Sequence, residues 1–199
     1  MQPPTKRDQA NAKRRRQILE AAVMGFVENG YHQTGMRDIA ARAGVSTGNL
    51  YNHFSSKTDM LAEIAEIERA DIAPFLEMLQ RDDPAPVVLD AFAKAYTRHL
   101  SDPVTLILSL EITSEAIRQT DIANLFTDSR NAMIAALSGL IERGVQEGQM
   151  RQMPDTSETA HLILEMMEGT AFRHGIEGHK LKPLLTTQTA FIRAALVVS

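Results

Sequence analysis

The chain has 199 residues, 44% hydrophobic and 23% charged, with a net charge of −4, ten methionines and no cysteine. The missing cysteines exclude disulfides, thiolate metal sites and cysteine nucleophiles. No apolar run approaches the roughly 20 residues that span a bilayer, and the polar, basic start lacks the apolar stretch of a signal peptide; a cytoplasmic protein that meets no membrane is expected.

Charge is unevenly spread: residues 1–57 sum to +5 and residues 58–199 to −9. A basic head on an acidic body suits a small polyanion-binding module. A chance excess of arginine at a disordered terminus would look the same.

Residues 1–12 show no periodicity and read as a flexible basic tail. Ile18, Ala22 and Phe26 recur every four residues and predict a helix over 13–29, stopped by Gly30. Thr34 can cap a second helix that turns Met36, Ile39, Ala40 and Ala43 inward. Gly44 ends it, and Ser46 can cap a third helix with Leu50 and Phe54 inward. Ser56 and Asp59 form a capping-box-like start to a long fourth helix, with Pro74 a point of kinking. Apolar patterns then predict helices over 86–100, 103–118, about 120–147, 155–176 and 183–198. The expectation is an all-α fold of about nine helices, with a DNA-binding domain over 13–57 and a second domain over 58–199.

Residues 34–57, TGMRDIAARAGVSTGNLYNHFSSK, carry the chemistry. A helix-turn-helix needs a tight turn, a small core and a polar outer face on its second helix. Gly44 supplies the turn. Ile39, Ala40, Ala43, Val45, Leu50 and Phe54 supply the core, with Ile18 and Phe26. Thr47, Gly48, Asn49, Tyr51, Asn52 and His53 supply the face, and no acid lies between Asp38 and Asp59. Asn can pair with adenine at the major-groove edge, and a Thr methyl can touch thymine. A solvated helical hairpin in another bundle is the alternative for any one of these residues alone.

The run A-G-V-S-x-G-x-L-Y-x-H-F-x-S-K, within residues 13–61, resembles the signature of the TetR family of transcriptional repressors. The resemblance implies an N-terminal three-helix DNA-binding domain and a C-terminal helical domain for ligand binding and dimerisation. It implies that Thr34, Thr47, Tyr51, His53 and Lys57 contact phosphates or orient the reading helix. Thr47, Gly48, Asn49 and Asn52 are then the candidates for base contact, Arg37 for the backbone or minor groove, and Ser46 is counted with the DNA-binding residues. Asn52 stands where many relatives carry an aromatic residue or histidine. Lys13-Arg14-Arg15-Arg16 could add phosphate or minor-groove contacts, or be solvated.

The same resemblance implies a homodimer on a palindromic double-stranded DNA operator, joined through residues 155–176 and 184–198. Met166, Met167, Phe172, Phe191, Ile192, Leu196 and Val197 could fill the seam, although residues buried inside one subunit would look alike. A small apolar or amphipathic effector would lie among helices between 58 and 176. Its lining would draw on Ile67, Phe75, Phe92, Tyr96, Leu106, Ile107, Leu110, Met133 and Met166. Glu111, Arg98, His99 or His161 would add polar selection.

Enzyme readings are weaker. Glu158-x-x-His161 has the spacing of carboxylate-bridged di-metal sites, but no second such pair occurs in the sequence and Glu158 serves as a capping partner of Asp155. No phosphate-binding loop, nucleophile elbow or dinucleotide fingerprint occurs. No enzyme, cofactor or metal is therefore expected. A sequence-indifferent DNA binder remains as an alternative, and the acidic body argues against it.

Overall fold

A computed structural model of the chain describes residues 5–198, and among them it has nine α-helices. The helices are α1 (Lys6–Asn29), α2 (Met36–Arg42), α3 (Thr47–Tyr51), α4 (Lys57–Leu79) and α5 (Ala85–Leu100), then α6 (Pro103–Arg118), α7 (Thr120–Gln146), α8 (Thr156–Glu177) and α9 (Leu181–Leu196). Extended pairing among the described residues is limited to one antiparallel bridge, Met150 with Val197. Around it the Arg151 N–H donates to the Leu196 carbonyl at 2.7 Å and the Val198 N–H to that of Gln149 at 3.0 Å.

The chain divides into two compact units, and the division does not fall at residue 57. The first unit runs to Ile67 and includes Ile107–Leu125; the second holds Glu68–Leu106 and Phe126 onward. Most of α6 and the start of α7 thus join the N-terminal helices. Local periodicity cannot reveal this, because it reports which face of a helix is buried and not against what.

In the first unit Ile18, Ala22, Phe26, Ile39, Leu50, Phe54, Met60 and Leu61 are essentially inaccessible. Each large side chain so buried contributes about 1.5–3 kcal/mol. Gly30, at φ 85°, stops α1, and Gly44, at φ 64°, makes the turn between α2 and α3. Residues with a Cβ are strained in that region.

The start of α1 corrects the expected flexible tail over 1–12. Residues 6–12 are helical, and Thr5 caps them: its hydroxyl accepts from the Asp8 N–H at 3.2 Å while the Asp8 carboxylate accepts from the Thr5 N–H at 3.0 Å. The remainder of that tail, residues 1–4, lies outside the described residues. The expected Thr34 cap of α2 is also corrected, because Gly35 takes the cap position and the Asp38 carboxylate accepts its N–H at 2.9 Å.

The second unit packs α4, α5, α7, α8 and α9 around Leu89, Phe92, Met133, Leu137, Ile141, Leu164, Met167 and Ile192. Asp155 caps α8, its carboxylate accepting from the Glu158 N–H at 2.9 Å. No helix of the described residues is long and apolar enough to cross a membrane.

Candidate nucleic-acid interface

α3 is a helix of five residues, Thr47–Tyr51. Leu50 holds it to the core, and Ser46 caps it, accepting from the Asn49 N–H at 3.1 Å. The cap uses only a lone pair of the Ser46 hydroxyl, so its proton remains to donate. Gly48, Asn49, Tyr51 and Asn52 are exposed, and Thr47 and His53 are half-exposed. A Cβ built at Gly48 would meet no atom within 4 Å, so the centre of the face is open. Arg37 is exposed on α2. These eight of the ten sequence-predicted residues are thus exposed or half-exposed, and three of them, Asn49, Asn52 and His53, line one cleft.

The other two are placed differently. Thr34 is only 3% exposed, and its hydroxyl lies 2.8 Å from the Gly25 carbonyl and 2.9 Å from that of Gly30. Gly25 permits this approach: a Cβ there would sit 2.7 Å from Thr34 Cγ2. Thr34 thus joins α1 to the start of α2 and presents no hydroxyl to a phosphate. Lys57 donates to the Tyr31 carbonyl at 2.5 Å and lies 4.3 Å over the Tyr31 ring. Burial pushes its pKa down, opposed by nearby Glu115. Of the two roles expected for them, contact with phosphate or orientation of the helix, these bonds fit orientation.

Several residues that build the site were missed by sequence reasoning. Arg15 lies with its guanidinium 4.1 Å over the Phe54 ring. Its Nε donates to Glu63 at 2.5 Å and a terminal nitrogen to the His53 carbonyl. Within the basic run 13–16 this side chain is a clamp binding α1 to the end of α3 and to α4. The signal was available, since Arg15 sits on the same stripe as Ile18, Ala22 and Phe26. The turn after α1 is gripped from α6: Glu111 accepts the Tyr31 N–H at 2.8 Å, and buried Glu115 meets His32 at 2.7 Å and Gln119 at 2.8 Å. Eighty residues separate Glu111 from Tyr31, and no local pattern encodes their meeting.

Glu111, expected in the effector lining, belongs to the first unit, where its carboxylate accepts the Tyr31 N–H. Ile67, Ile107 and Leu110 also belong to the first unit and are exposed. In the second unit Phe92 and Met133 are buried in the core, with Phe75, Tyr96 and Met166 packed against it. Tyr96 stacks on Phe92 at 5.4 Å and meets Phe75 edge-on at 5.2 Å. Burial pushes the Tyr96 hydroxyl pKa up strongly, helped by Glu168 and Glu68. Burial also raises Glu68 to about 7. Arg130 donates to Glu168 at 2.8 Å. Leu106 is buried under Gly175, and His161 is half-buried on α8.

The seam residues are corrected in part. Met167, Ile192 and Leu196 are buried in the second unit's own core. Their place in the seam is what the resemblance implies, and residues buried inside one subunit look the same in sequence. Phe191 is 63% exposed, and Leu162 and Ile176, on α8, are exposed as well. Among the described residues no three His, Asp or Glu side chains gather as metal ligands.

Comparison with known proteins agrees with this geometry. Residues 18–64 match the family described as bacterial regulatory proteins of the tetR family, and residues 87–197 match the AefR-like transcriptional repressor C-terminal domain. The chain is 28% identical over 157 residues to the HTH-type transcriptional repressor KstR2 of Rhodococcus jostii, covering 75% of this chain and 74% of that one. Two solved structures share the fold. A transcriptional regulator from Saccharomonospora viridis in complex with choline has a TM-score of 0.81 at 22% identity, over 94% of this chain and 100% of that one. FadR from Bacillus subtilis in complex with stearoyl-CoA has a TM-score of 0.75 at 22% identity, over 89% and 96%. With both its helix-turn-helix and its C-terminal helices matched, the chain belongs to the TetR family of transcriptional regulators.

Proposed function

We propose that this regulator acts in the cytoplasm as a homodimeric repressor, laying the outer face of α3 in the major groove of a palindromic operator. A small apolar or amphipathic effector taken up by the C-terminal helices releases it. The observation that carries the reading is the open face of α3, where Gly48, with free space above it, is followed by exposed Asn49 and Asn52. An amide can make two hydrogen bonds to adenine, and Ser46, Thr47 and Tyr51 offer hydroxyls to phosphate or base.

One five-residue helix reads few base pairs, and a two-fold pair doubles the site with half-sites about 34–36 Å apart. Exposed Phe191 on α9 and Leu162 and Ile176 on α8 support pairing through residues 155–176 and 184–198. The aromatic group of Phe75, Phe92 and Tyr96, with the acids and Arg130 nearby, supports an effector having both an apolar and a polar part. Choline and stearoyl-CoA, bound by the two structural neighbours, differ too much for either to be assigned to this chain.

The test is selection of bound duplexes from a random pool. A palindromic consensus, lost with Asn49→Ala, is the expected result. A pool without consensus, bound equally tightly throughout, would instead favour sequence-indifferent binding.

A further inference from the structure

A cleft of about 300 Å³ opens between α1 and α3, lined by Asn11, Ala12, Arg15, Asn49, Asn52 and His53. Three amides, an imidazole and the edge of a guanidinium line it, and no carboxylate does. The nearby acids are turned elsewhere: Asp8 is held by the Thr5 N–H and hydroxyl, and Glu63 by Arg15. A helix repeats its face every three to four residues, so Arg7 stands one turn before Asn11 on the same face. Both are exposed and both lie on the two turns of α1 that extend beyond the expected helix start.

We propose that these first turns of α1 are a second DNA-contacting element, in which Asn11 and Arg7 hold a backbone phosphate at the cleft beside the bases read by α3. The proposal rests on α3 being the reading helix. The chemistry is that of a phosphodiester: amide donors line a cleft without acids, exposed Arg7 stands one helical turn before Asn11, and side chains suited to base edges lie alongside. Arg15 contributes by fixing the cleft wall, since most of its donors are already engaged. Such a contact adds affinity without sequence preference, which comes from α3.

The experiment uses the full chain, a selected operator duplex, an unrelated duplex of equal length, and the variants Asn11→Ala, Arg7→Gln and Asn49→Ala. Asn11→Ala should weaken binding to both duplexes by a similar factor, about tenfold or more, as expected for one lost hydrogen bond to a charged group. Arg7→Gln should also flatten the slope of log affinity against log salt by about one per protomer. Phosphate ethylation at one position per half-site should block the parent and leave Asn11→Ala unaffected. If both variants keep the parent's affinities, salt slope and ethylation pattern, the proposal fails; so too if Asn11→Ala weakens the operator alone. Asn49→Ala separates the two readings: its loss of selectivity preserves the α3 assignment even when the α1 contact fails, and retained selectivity overturns the assignment itself.

Discussion

The Glu111 carboxylate accepts the backbone N–H of Tyr31 at 2.8 Å, joining α6 to the turn that links α1 and α2. A buried backbone donor that loses its acceptor costs about 1–3 kcal/mol. Glu111→Ala should therefore lower the unfolding free energy by about that amount, read by urea denaturation. An unchanged midpoint would mean that the bond contributes nothing.

Gly48 offers the clearest separation of stability from function. With open space above it, Gly48→Ala should fold at least as well and gain up to about 1 kcal/mol in helix stability. The added methyl would stand between α3 and the base edges. Operator affinity should fall by about tenfold or more, the scale of one lost base-pair contact. Thermal melting and fluorescence anisotropy on the same sample would read both effects; a variant that binds at parental strength would remove Gly48 from the interface.

Glu68 makes stability depend on pH in the direction opposite to a salt-bridged acid. Burial raises its folded pKa to about 7 from an ordinary 4.5. Between those values the folded chain holds a proton that the unfolded chain releases, so stability falls as pH rises, and the full cost is reached above 7. Glu68→Gln never ionises. It should be more stable than the parent at pH 8 by about 1–3 kcal/mol and nearly equal to it at pH 4.5. Denaturation curves at the two pH values decide this.

Phe191→Lys tests the proposed pairing. Phe191 is exposed on α9, so the change should leave each subunit folded while placing a charge in the seam. Sedimentation should show a halved mass, with operator binding reduced to that of a single half-site. A variant that still sediments as a dimer would move the interface elsewhere.

The reading helix was legible because its requirements are local: a glycine at the turn, a serine cap, Leu50 and Phe54 inward, and polar groups outward. The early start of α1 was not, because residues 6–12 are polar on every side and carry no periodic stripe. Their one signal is the pairing of Thr5 with Asp8. Which of two roles Thr34 and Lys57 play was open for another reason. A polar side chain near a DNA-reading helix looks alike whether it faces a phosphate or a neighbouring carbonyl, and only packing separates the two. Glu111 marks the limit, since its partner lies eighty residues away.

Arg15, finally, alters how the basic head should be counted. Of the nine lysines and arginines in residues 1–57, Arg15, Arg42 and Lys57 already face Glu63, Glu28 and the Tyr31 carbonyl. Six remain to neutralise phosphates, so each subunit can displace no more than about five condensed cations on docking. The raw sequence charge would overstate the ionic part of the attraction, leaving more of the discrimination to a handful of uncharged amides and hydroxyls.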